Sequence, residues 1–471
     1  MGVPTFRRRT ERRGLRLWPV GPVLVLAFTV ALLVAAAVFF AGWDLLEARE
    51  LRPERQIDSK TLFDLVKLSF GVVAGAGALV ALVVAYRRQR VDEDGALRDA
   101  TRLHTERFTT AVAQLGAESA AVRLGGVHAL AGLADDAPTR DLRQTCIDVL
   151  CAYLRLPYTA ETDLPADDPA ARHTYLALRE VRHTIIRLIR DHLQLVPERP
   201  HSWQGLDFDF TGVTFDGGDL SGVVFSGGTV SFRAAQFTGG MVSFRAAQFT
   251  GGTVDFGGAQ FTGGTVSFIS AQFTGGTVDF GAARFTGGTV DFIGSRFSGG
   301  TVSFIGAWFT GGTVSFGGAE FTGGTVHFDG ARFSGGTVHF GAARFTGGTV
   351  PFSGAEFSGG TVHFGAARFT GGGVYFNAEF TGGTVDFREA HFTGGRVSFN
   401  AEFTGGTVSF HGAEFTGGGV DFRGAEFTGG TVDLSQANGV APEGLVPSSG
   451  RPLPPLPTGL NLPPAWYPAG S

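Results

Sequence analysis

The sequence predicts an all-β solenoid, preceded by a small all-α region and two N-terminal transmembrane helices. A segment of 12 residues recurs in tandem from about Phe225 to Leu434, and self-similarity at a fixed period is typical of solenoid proteins. Two long uncharged runs lie near the N-terminus, and the residues between them and the repeat carry apolar side chains at helical spacing. The predicted organisation is a basic segment at 1–16, transmembrane helices at 17–43 and 68–86, a short external loop at 44–67, a helical adaptor at 87–200, the solenoid at 206–436 and a disordered Pro-rich tail at 437–471.

The two transmembrane helices are predicted from charge and length. Residues 17–43 and 68–86 contain no charged side chain, and a bilayer takes about 20 apolar residues to cross. A cleaved secretory signal is the alternative for the first run, but its apolar core would be about 7–15 residues long. Arginines precede the first run and follow the second, which favours both termini and the repeat on the cytoplasmic side of the cell membrane. The lipid bilayer is then a predicted partner of a multi-pass protein.

The region 87–200 has the apolar spacing of amphipathic helices. One stretch, 122–134, resembles half of a HEAT-type helical repeat, and Thr139 is placed to cap a following helix. Cys146 and Cys151 are interpreted as small buried side chains, because no second pair completes a zinc site. His183 and His192 are interpreted as part of the solvated face of the last helix.

Each copy of the repeat predicts two short strands and two corners. In one copy Val266, Phe268, Ala271 and Phe273 are two or three residues apart, and residues two apart on a strand point the same way. These residues, with Phe304 and Phe309 further along, are predicted to form the core. The Gly-rich segments between the strands are predicted to be corners, where a positive φ is easiest for Gly.

The repeat resembles the pentapeptide-repeat family. Ala271-Gln-Phe-Thr-Gly275 and Val266-Ser-Phe-Ile-Ser270 both fit its unit, in which a small residue is followed by a variable one and a central Leu or Phe. The departure is two extra residues between alternate units, so that the period is 12 instead of 10. The resemblance implies a right-handed quadrilateral β-helix with four units per coil, hence about 24 residues per coil. The whole arrangement looks like membrane-anchored pentapeptide-repeat proteins of high-GC (actinobacterial) bacteria.

Two shortened copies provide a test of that number. The copies Phe369–Phe380 and Phe392–Phe403 are 11 residues long, with a normal copy between them. Both lose a residue at the same corner, which leaves Asn377 and Asn400 there. With 24 residues per coil these two side chains lie on one edge in consecutive coils and are expected to stack as a ladder.

The outward positions are the predicted recognition surface, because the inward positions hardly vary. The same spacing places Trp308 between Arg284 and Arg332, as a cation–π sandwich, and Arg332 beside Glu356. The candidate recognition positions are Gln236, Gln248, Gln260, Gln272, Arg284, Trp308, Arg332 and Glu356.

Motifs for catalysis, cofactors and metals were sought in the repeat. The Gly-Gly pairs never precede Lys-Ser/Thr, so they do not form a phosphate loop, and Asp recurs too rarely for a calcium β-roll. His339 and His363 are expected to stack one coil apart, but a tolerant solvent-facing position explains them as well as a metal site does. The sequence therefore predicts no catalytic, cofactor-binding or metal-binding residue.

The predicted function is a membrane-anchored scaffold for an unknown protein partner, without enzymatic activity. The segment 206–434 carries 18 Asp and Glu against 10 Arg and no Lys, so direct binding of nucleic acid is not expected. The alternative is an acidic mimic of DNA that binds gyrase or another nucleic-acid-binding protein, as soluble members of the family do. A polysaccharide-cleaving β-helix is a third candidate. The tail also contains a Pro-rich match to an SH3 ligand at 451–457, and the oligomeric state stays open.

Overall fold

The computed structural model describes residues 59–165, 167–446 and 456–467, together with isolated helical positions between 25 and 44. The chain divides into two compact units, 1–102 and 103–471. The predictions for 1–16, for most of 17–43 and for 45–58 lie outside the described residues. The second unit contains three complete helices and the whole solenoid.

The helices of the described region are α1 (Ser59–Leu115), α2 (Ala120–Asp135), α3 (Arg140–Leu154) and α4 (Pro169–Gln194). Two short 3₁₀ helices are Glu161–Asp163 and Pro464–Trp466. Thr139 caps α3, since its hydroxyl accepts from the backbone N–H of Leu142 at 3.3 Å. Asp168 caps α4 in the same way, and Pro169 stands at the first helical position, where its missing N–H costs nothing.

The prediction of two transmembrane helices is corrected by the structure. Across the described residues, no helix combines the length and the apolar character that crossing a membrane requires. The run 68–86 is part of α1, a helix of 57 residues that continues through the charged stretch after Arg87. Small residues such as Gly71, Gly75 and Gly77 add little apolar surface to this run. A multi-pass membrane protein and the localisation derived from it are therefore not supported.

The solenoid consists of short parallel strands in two sheets. Strands pair with the equivalent strand one coil on, in the register Gln260↔Arg284 and Phe261↔Phe285, so a coil takes 24 residues. This confirms the predicted pentapeptide-repeat solenoid of about 24 residues per coil, which here makes about ten turns.

The strands of sheet 1 are Phe208–Asp209, Val224–Phe225, Thr229–Ser231, Gln248–Phe249, Thr253–Asp255, Gln272–Phe273, Thr277–Asp279, Arg296–Phe297, Thr301–Ser303, Glu320–Phe321, Thr325–His327, Arg344–Phe345, Thr349–Pro351, Arg368–Tyr375, His391–Ser398, Glu414–Phe415, Gly419–Asp421 and Asn438–Gly439. Those of sheet 2 are Thr214–Phe215, Gly218–Asp219, Gln236–Phe237, Met241–Ser243, Gln260–Phe261, Thr265–Ser267, Arg284–Phe285, Thr289–Asp291, Trp308–Phe309, Thr313–Ser315, Arg332–His339, Glu356–His363, Glu379–Asp386, Glu402–Ser409, Glu426–Phe427, Thr431–Asp433 and Leu460–Asn461.

The corner between the two sheets is a four-residue turn of the form Phe-x-x-Ala. Its ends are joined by a backbone hydrogen bond, as from Ala283 N–H to Phe280 O at 3.0 Å. The third residue is left-handed, with φ of 54° at Ala282 and 62° at Gly306. Gly, Ala and Ser dominate this place because little else tolerates that φ.

The core is a set of stacked Phe columns. Phe304 is fully buried, and its ring lies 4.8 Å from that of Phe280 and 4.9 Å from that of Phe328 in the neighbouring coils. A second Phe from the same coil meets it edge-on, as Phe316 does at 5.7 Å. The structure also buries the remaining named core positions, which are Val266, Phe268, Ala271, Phe273 and Phe309. Offset and edge-on aromatic pairs are the favourable geometries, so the interior is dry and uniform.

The shortened copies lie in consecutive coils. Tyr375 pairs with Ser398, which brings Asn377 and Asn400 to one edge, as the 24-residue coil predicts. Each shortened corner has lost its left-handed residue, since neither Asn has a positive φ. No side-chain hydrogen bond joins these two described residues, so they align without forming the expected ladder.

The helical region covers the first coil of the solenoid. Arg182 is buried and donates to the carbonyls of Leu154 and Thr214, both at 2.7 Å. Gln144 and Arg155 donate to the carbonyls of Asp207 and Asp209, each at 2.7 Å. An open sheet edge would leave such groups free to pair with other chains. The predicted adaptor is therefore also the N-terminal cap of the solenoid.

Part of the segment predicted as a disordered tail is folded against the other end. Leu460 pairs with Val432. The indole of Trp466 packs edge-on to Phe415 at 5.7 Å and donates from Nε1 to Gly439 O at 2.9 Å. This segment covers the last coil. Most of the SH3-like motif, at 451–455, lies outside the described residues.

Candidate interaction surface

The outward positions divide between the two sheets. In each coil one outward residue precedes the strand Phe of sheet 2 and another precedes the strand Phe of sheet 1. The sheet-2 column contains Gln236, Gln260, Arg284, Trp308, Arg332, Glu356, Glu379, Glu402 and Glu426. The sheet-1 column contains Gln248, Gln272, Arg296, Glu320, Arg344, Arg368, His391 and Glu414. The four predicted Gln positions therefore belong to two separate surfaces.

The centre of the sheet-2 column is an aromatic ring between two cations. The guanidinium of Arg284 lies 5.7 Å from the Trp308 ring centre, and that of Arg332 lies 4.9 Å from it. Trp308 is 39% exposed. Arg332 also pairs with Glu356 at 3.4 Å. The structure thus brings four of the predicted recognition residues together.

The sheet-1 column neutralises its own charges. Glu320 stands between Arg296 and Arg344, at 3.0 and 3.7 Å. His391 pairs with Glu414 at 2.9 Å. Alternation of sign along this column leaves few charges without a neighbour of opposite sign.

A second outward position, the residue between Val and Phe, has a structural role that the sequence analysis missed. Its side chain accepts from the backbone N–H two residues later. Asp255 accepts from Gly257 at 2.7 Å and Asp279 from Gly281 at 2.8 Å. The signal was present in the sequence, since this position holds mostly Ser, Asp and His, which are short acceptors typical of such turns. The position caps the corner and is only secondarily a recognition site.

His339 and His363 illustrate this capping. Their Nδ1 atoms accept from Gly341 N–H at 3.1 Å and from Gly365 N–H at 2.8 Å, and their rings lie 4.9 Å apart. Because Nδ1 is the acceptor, the proton of the neutral ring is on Nε2, which then cannot bind a metal. Within the described residues, no group of three or more His, Cys, Asp or Glu is arranged to hold a metal ion.

A buried carboxylate joins the helical cap to the solenoid. Asp216 accepts from the hydroxyls of Tyr158 and Tyr175, both at 2.7 Å, and lies 3.8 Å from Nε2 of His183. Burial alone would raise the pKa of Asp216, but His183, Tyr175 and Tyr158 outweigh burial and lower the pKa to about 2. The carboxylate is therefore ionised at neutral pH and holds the two parts together.

The other histidine of α4 is also part of this junction. His192 Nε2 lies 3.0 Å from Asp135, and its ring stacks on Trp203 at 4.0 Å. Trp203 donates from Nε1 to the same carboxylate at 3.0 Å. His183 and His192 were interpreted as solvated, but the structure places both against other elements.

The cysteines have no reactive environment. Burial raises the pKa of Cys146 to about 11 and that of Cys151 to about 12. Both thiols stay protonated at neutral pH, and the thiol is a poor nucleophile.

The family comparison agrees with this geometry. A family model described as pentapeptide repeats (9 copies) matches residues 210–253 and 287–332. The solenoid is built of pentapeptide repeats. The 24-residue register continues unchanged between and after the matched stretches, as in Phe273↔Phe297 and Phe345↔Phe369. A comparison with curated proteins found no match.

Proposed function

We propose that this pentapeptide-repeat protein is a non-catalytic scaffold that binds a protein partner through the outward columns of its solenoid. The observation that supports the proposal is the separation of constant and variable positions. The buried Phe, Val and Ala positions recur in almost every coil, whereas the position before each strand Phe changes between Gln, Arg, Trp, Glu and His. Variation at these positions alters recognition without altering the fold.

The side chains in these columns suit protein binding. Trp and Arg are the residues that most often dominate the binding energy of interfaces, and Trp308 lies between two arginines. A rod that is already ordered loses little conformational freedom when it binds. The negative charge of the segment 206–434 favours a protein over a nucleic acid as the partner.

A second candidate is an acidic surface that imitates DNA for gyrase or another nucleic-acid-binding protein. Glu356, Glu379, Glu402 and Glu426 stand in consecutive coils of sheet 2, which favours this function. Duplex DNA, however, carries one charge per roughly 1.7 Å of its axis, whereas adjacent coils here are 4.8 Å apart, as measured between the rings of Phe380 and Phe403. The column thus has about a third of the charge density of DNA, and the scaffold is the stronger proposal.

Site-specific photocrosslinking in cells tests the scaffold proposal. A photoreactive amino acid is placed in the full chain at Arg368 of the sheet-1 column or at Trp308 of the sheet-2 column. The matched control is Ser353, an exposed corner residue. We expect a discrete adduct with another protein from at least one column position and not from the control. The same adducts from all three positions, or none beyond adducts with the protein itself, would contradict the proposal. Identification of gyrase in the adduct would favour the second candidate.

A further inference from the structure

The sheet-2 column separates its charges into two blocks. Arg284 and Arg332 flank Trp308, and Glu356, Glu379, Glu402 and Glu426 follow without interruption. Within the part of the chain that the structure describes, only Glu356 of the four glutamates forms an ion pair, with Arg332 at 3.4 Å. Arg284 contacts only the ring of Trp308. Like charges in adjacent coils repel one another, so this face is incompletely neutralised in the single chain.

We propose that two copies of this chain pair antiparallel through sheet 2, across a two-fold axis between Arg332 and Glu356. The pairing goes beyond the proposed function and does not depend on it. The axis runs along the strand direction, so each sheet-2 column faces the same column of the second copy. A two-fold interface brings residue i against j and j against i, so complementary blocks on one column satisfy each other.

The register that follows from this axis pairs opposite charges throughout. Arg332 faces Glu356 of the second copy, and Arg284 faces Glu402 of the second copy. Each of these pairs occurs twice. Since Arg332 and Glu356 already touch within one chain, the centre becomes an alternating square of two Arg and two Glu. Trp308 faces Glu379 of the second copy, within reach of the two arginines that flank the ring.

The second outward column of sheet 2 fits the same pairing. Its residues are those between Val and Phe, and the axis places His339 opposite His363. Asp386 then faces Ser315, and Asp291 faces Ser409. No two of these carboxylates oppose each other.

A parallel pairing of the same faces is disfavoured. It would place the two columns of each coil opposite one another, which brings Glu379 against Asp386 and Glu426 against Asp433. The sheet-1 column gives no comparable arrangement, because Glu320 is already paired with Arg296 and Arg344 within the chain.

The size of the face is sufficient for a reversible dimer. The paired columns extend from Gln260 to Glu426, or seven coil steps, and each step is 4.8 Å as measured between the rings of Phe309 and Phe333. With strands of eight residues across the face, each copy would bury roughly 700 Å² at the usual rise per residue. The total of about 1,400 Å² lies within the range of specific interfaces. The Thr-Gly-Gly-Thr segment between the columns has no large side chain that would hold the faces apart.

Sedimentation velocity of the full chain over a range of protein and salt concentrations tests this pairing. We expect a monomer–dimer equilibrium that weakens at least tenfold between 50 mM and 500 mM salt, because the paired charges are screened. The double variant Arg284→Glu/Arg332→Glu has an all-acidic column and should be monomeric. The control Arg344→Glu/Arg368→Glu makes the same change of charge on sheet 1 and should dimerise like the unaltered protein.

A mixing experiment provides the decisive control. The variant Glu356→Arg/Glu402→Arg has a basic column and should also be monomeric alone. An equimolar mixture of the acidic and basic variants should recover the dimer, because their columns are then complementary. A protein that is monomeric at all concentrations, or a dimer that neither double variant weakens, would overturn the proposal. Circular dichroism shows whether each variant is folded, and a mixture of two folded variants that fails to associate would also overturn it.

Disulfide trapping tests the register. The single variants Trp308→Cys and Glu379→Cys, mixed and oxidised, should crosslink to each other. Trp308→Cys alone should not, because its mates would be three coils apart. The control mixture pairs Trp308→Cys with Glu414→Cys on sheet 1, and preferential crosslinking of that mixture would place the interface elsewhere.

Discussion

The close stacking of the Thr-Gly-Gly segments leads to a sharp prediction about two glycines with the same backbone conformation. Gly300 has φ of 67° and Gly306 has φ of 62°. A Cβ at Gly300 would lie 2.5 Å from the carbonyl oxygen of Gly276 in the previous coil, whereas a Cβ at Gly306 would meet nothing within 4 Å. We expect Gly300→Ala to destabilise the solenoid much more than Gly306→Ala.

The expected magnitudes follow from two separate costs. A left-handed Ala costs about 1–2 kcal/mol, which is offset by roughly 0.5–1 kcal/mol because Gly loses more freedom on folding. Gly306→Ala should therefore cost about 1 kcal/mol, and Ala282 already occupies the equivalent place with φ of 54°. Gly300→Ala adds an overpacking cost of about 1–3 kcal/mol. It also disturbs the hydrogen bond from Thr301 N–H to Gly276 O, 3.0 Å long, which is worth about 1 kcal/mol.

Urea unfolding followed by far-ultraviolet circular dichroism measures both variants. We expect a loss of about 3–5 kcal/mol for Gly300→Ala, or a separate early transition if the solenoid unfolds in sections. Equal losses for the two variants, within about 0.5 kcal/mol, would refute the close backbone contact between coils, because the left-handed φ is common to both.

Three further predictions concern the core, the junction and the corner cap. Phe304→Ala should cost about 3–5 kcal/mol in urea unfolding, since the ring is fully buried; a loss below 1 kcal/mol would contradict the stacked core. Asp216 has a pKa lowered to about 2 from 3.8, so its stabilisation of roughly 2 kcal/mol is complete above about pH 4 and disappears as the pH falls through 2. Asp216→Asn should remove that part of the acid dependence, and an unchanged acid profile would be evidence against it. Burial and the neighbouring His363 lower the pKa of His339. Gly341→Ala, whose Cβ would lie 2.3 Å from Cε1 of His339, should push the ring into solvent and raise that pKa in an NMR titration, and an unmoved value would contradict the cap.

The coil length could be predicted because the sequence contains two kinds of periodicity. Alternation within each copy places Val and Phe inside, and the deletions that leave Asn377 and Asn400 distinguish a coil of two copies from a coil of one. Parallel pairing in the structure follows the same count, as in Arg332↔Glu356. Repetition makes such a prediction strong, because every coil must satisfy the same packing.

The ends of the solenoid could not be predicted in the same way, since they do not repeat. Leu460 and Trp466 are separated from their partners in the last coils by a Pro-rich segment, and composition alone indicated disorder. The signal was the presence of large apolar side chains in a tail that otherwise had no use for them. The uncharged run 68–86 shows the converse limitation, because composition does not show that the same helix continues through charged residues to Leu115.

The outward positions show where periodicity is insufficient. Sequence reasoning treated the residue between Val and Phe as tolerant, but a free backbone N–H follows two residues later and needs an acceptor. Ser267, Asp279 and His339 all supply one, at 3.5, 2.8 and 3.1 Å. Chemically different side chains are therefore selected for one shared property.

This capping requirement narrows the surface on which recognition can vary. Of the two outward residues in each 12-residue copy, one is constrained to accept a hydrogen bond, and only the residue before the strand Phe is free to be long, charged or aromatic. Because alternate copies lie on opposite sheets, these free positions form two independent columns. The sheet-1 column alternates its charges and satisfies them internally, as Glu320 does with Arg296. The sheet-2 column separates the same residue types into blocks, so its unpaired charges are available to a second molecule. The order of charges along a column, rather than the net charge of the solenoid, therefore determines which face can bind.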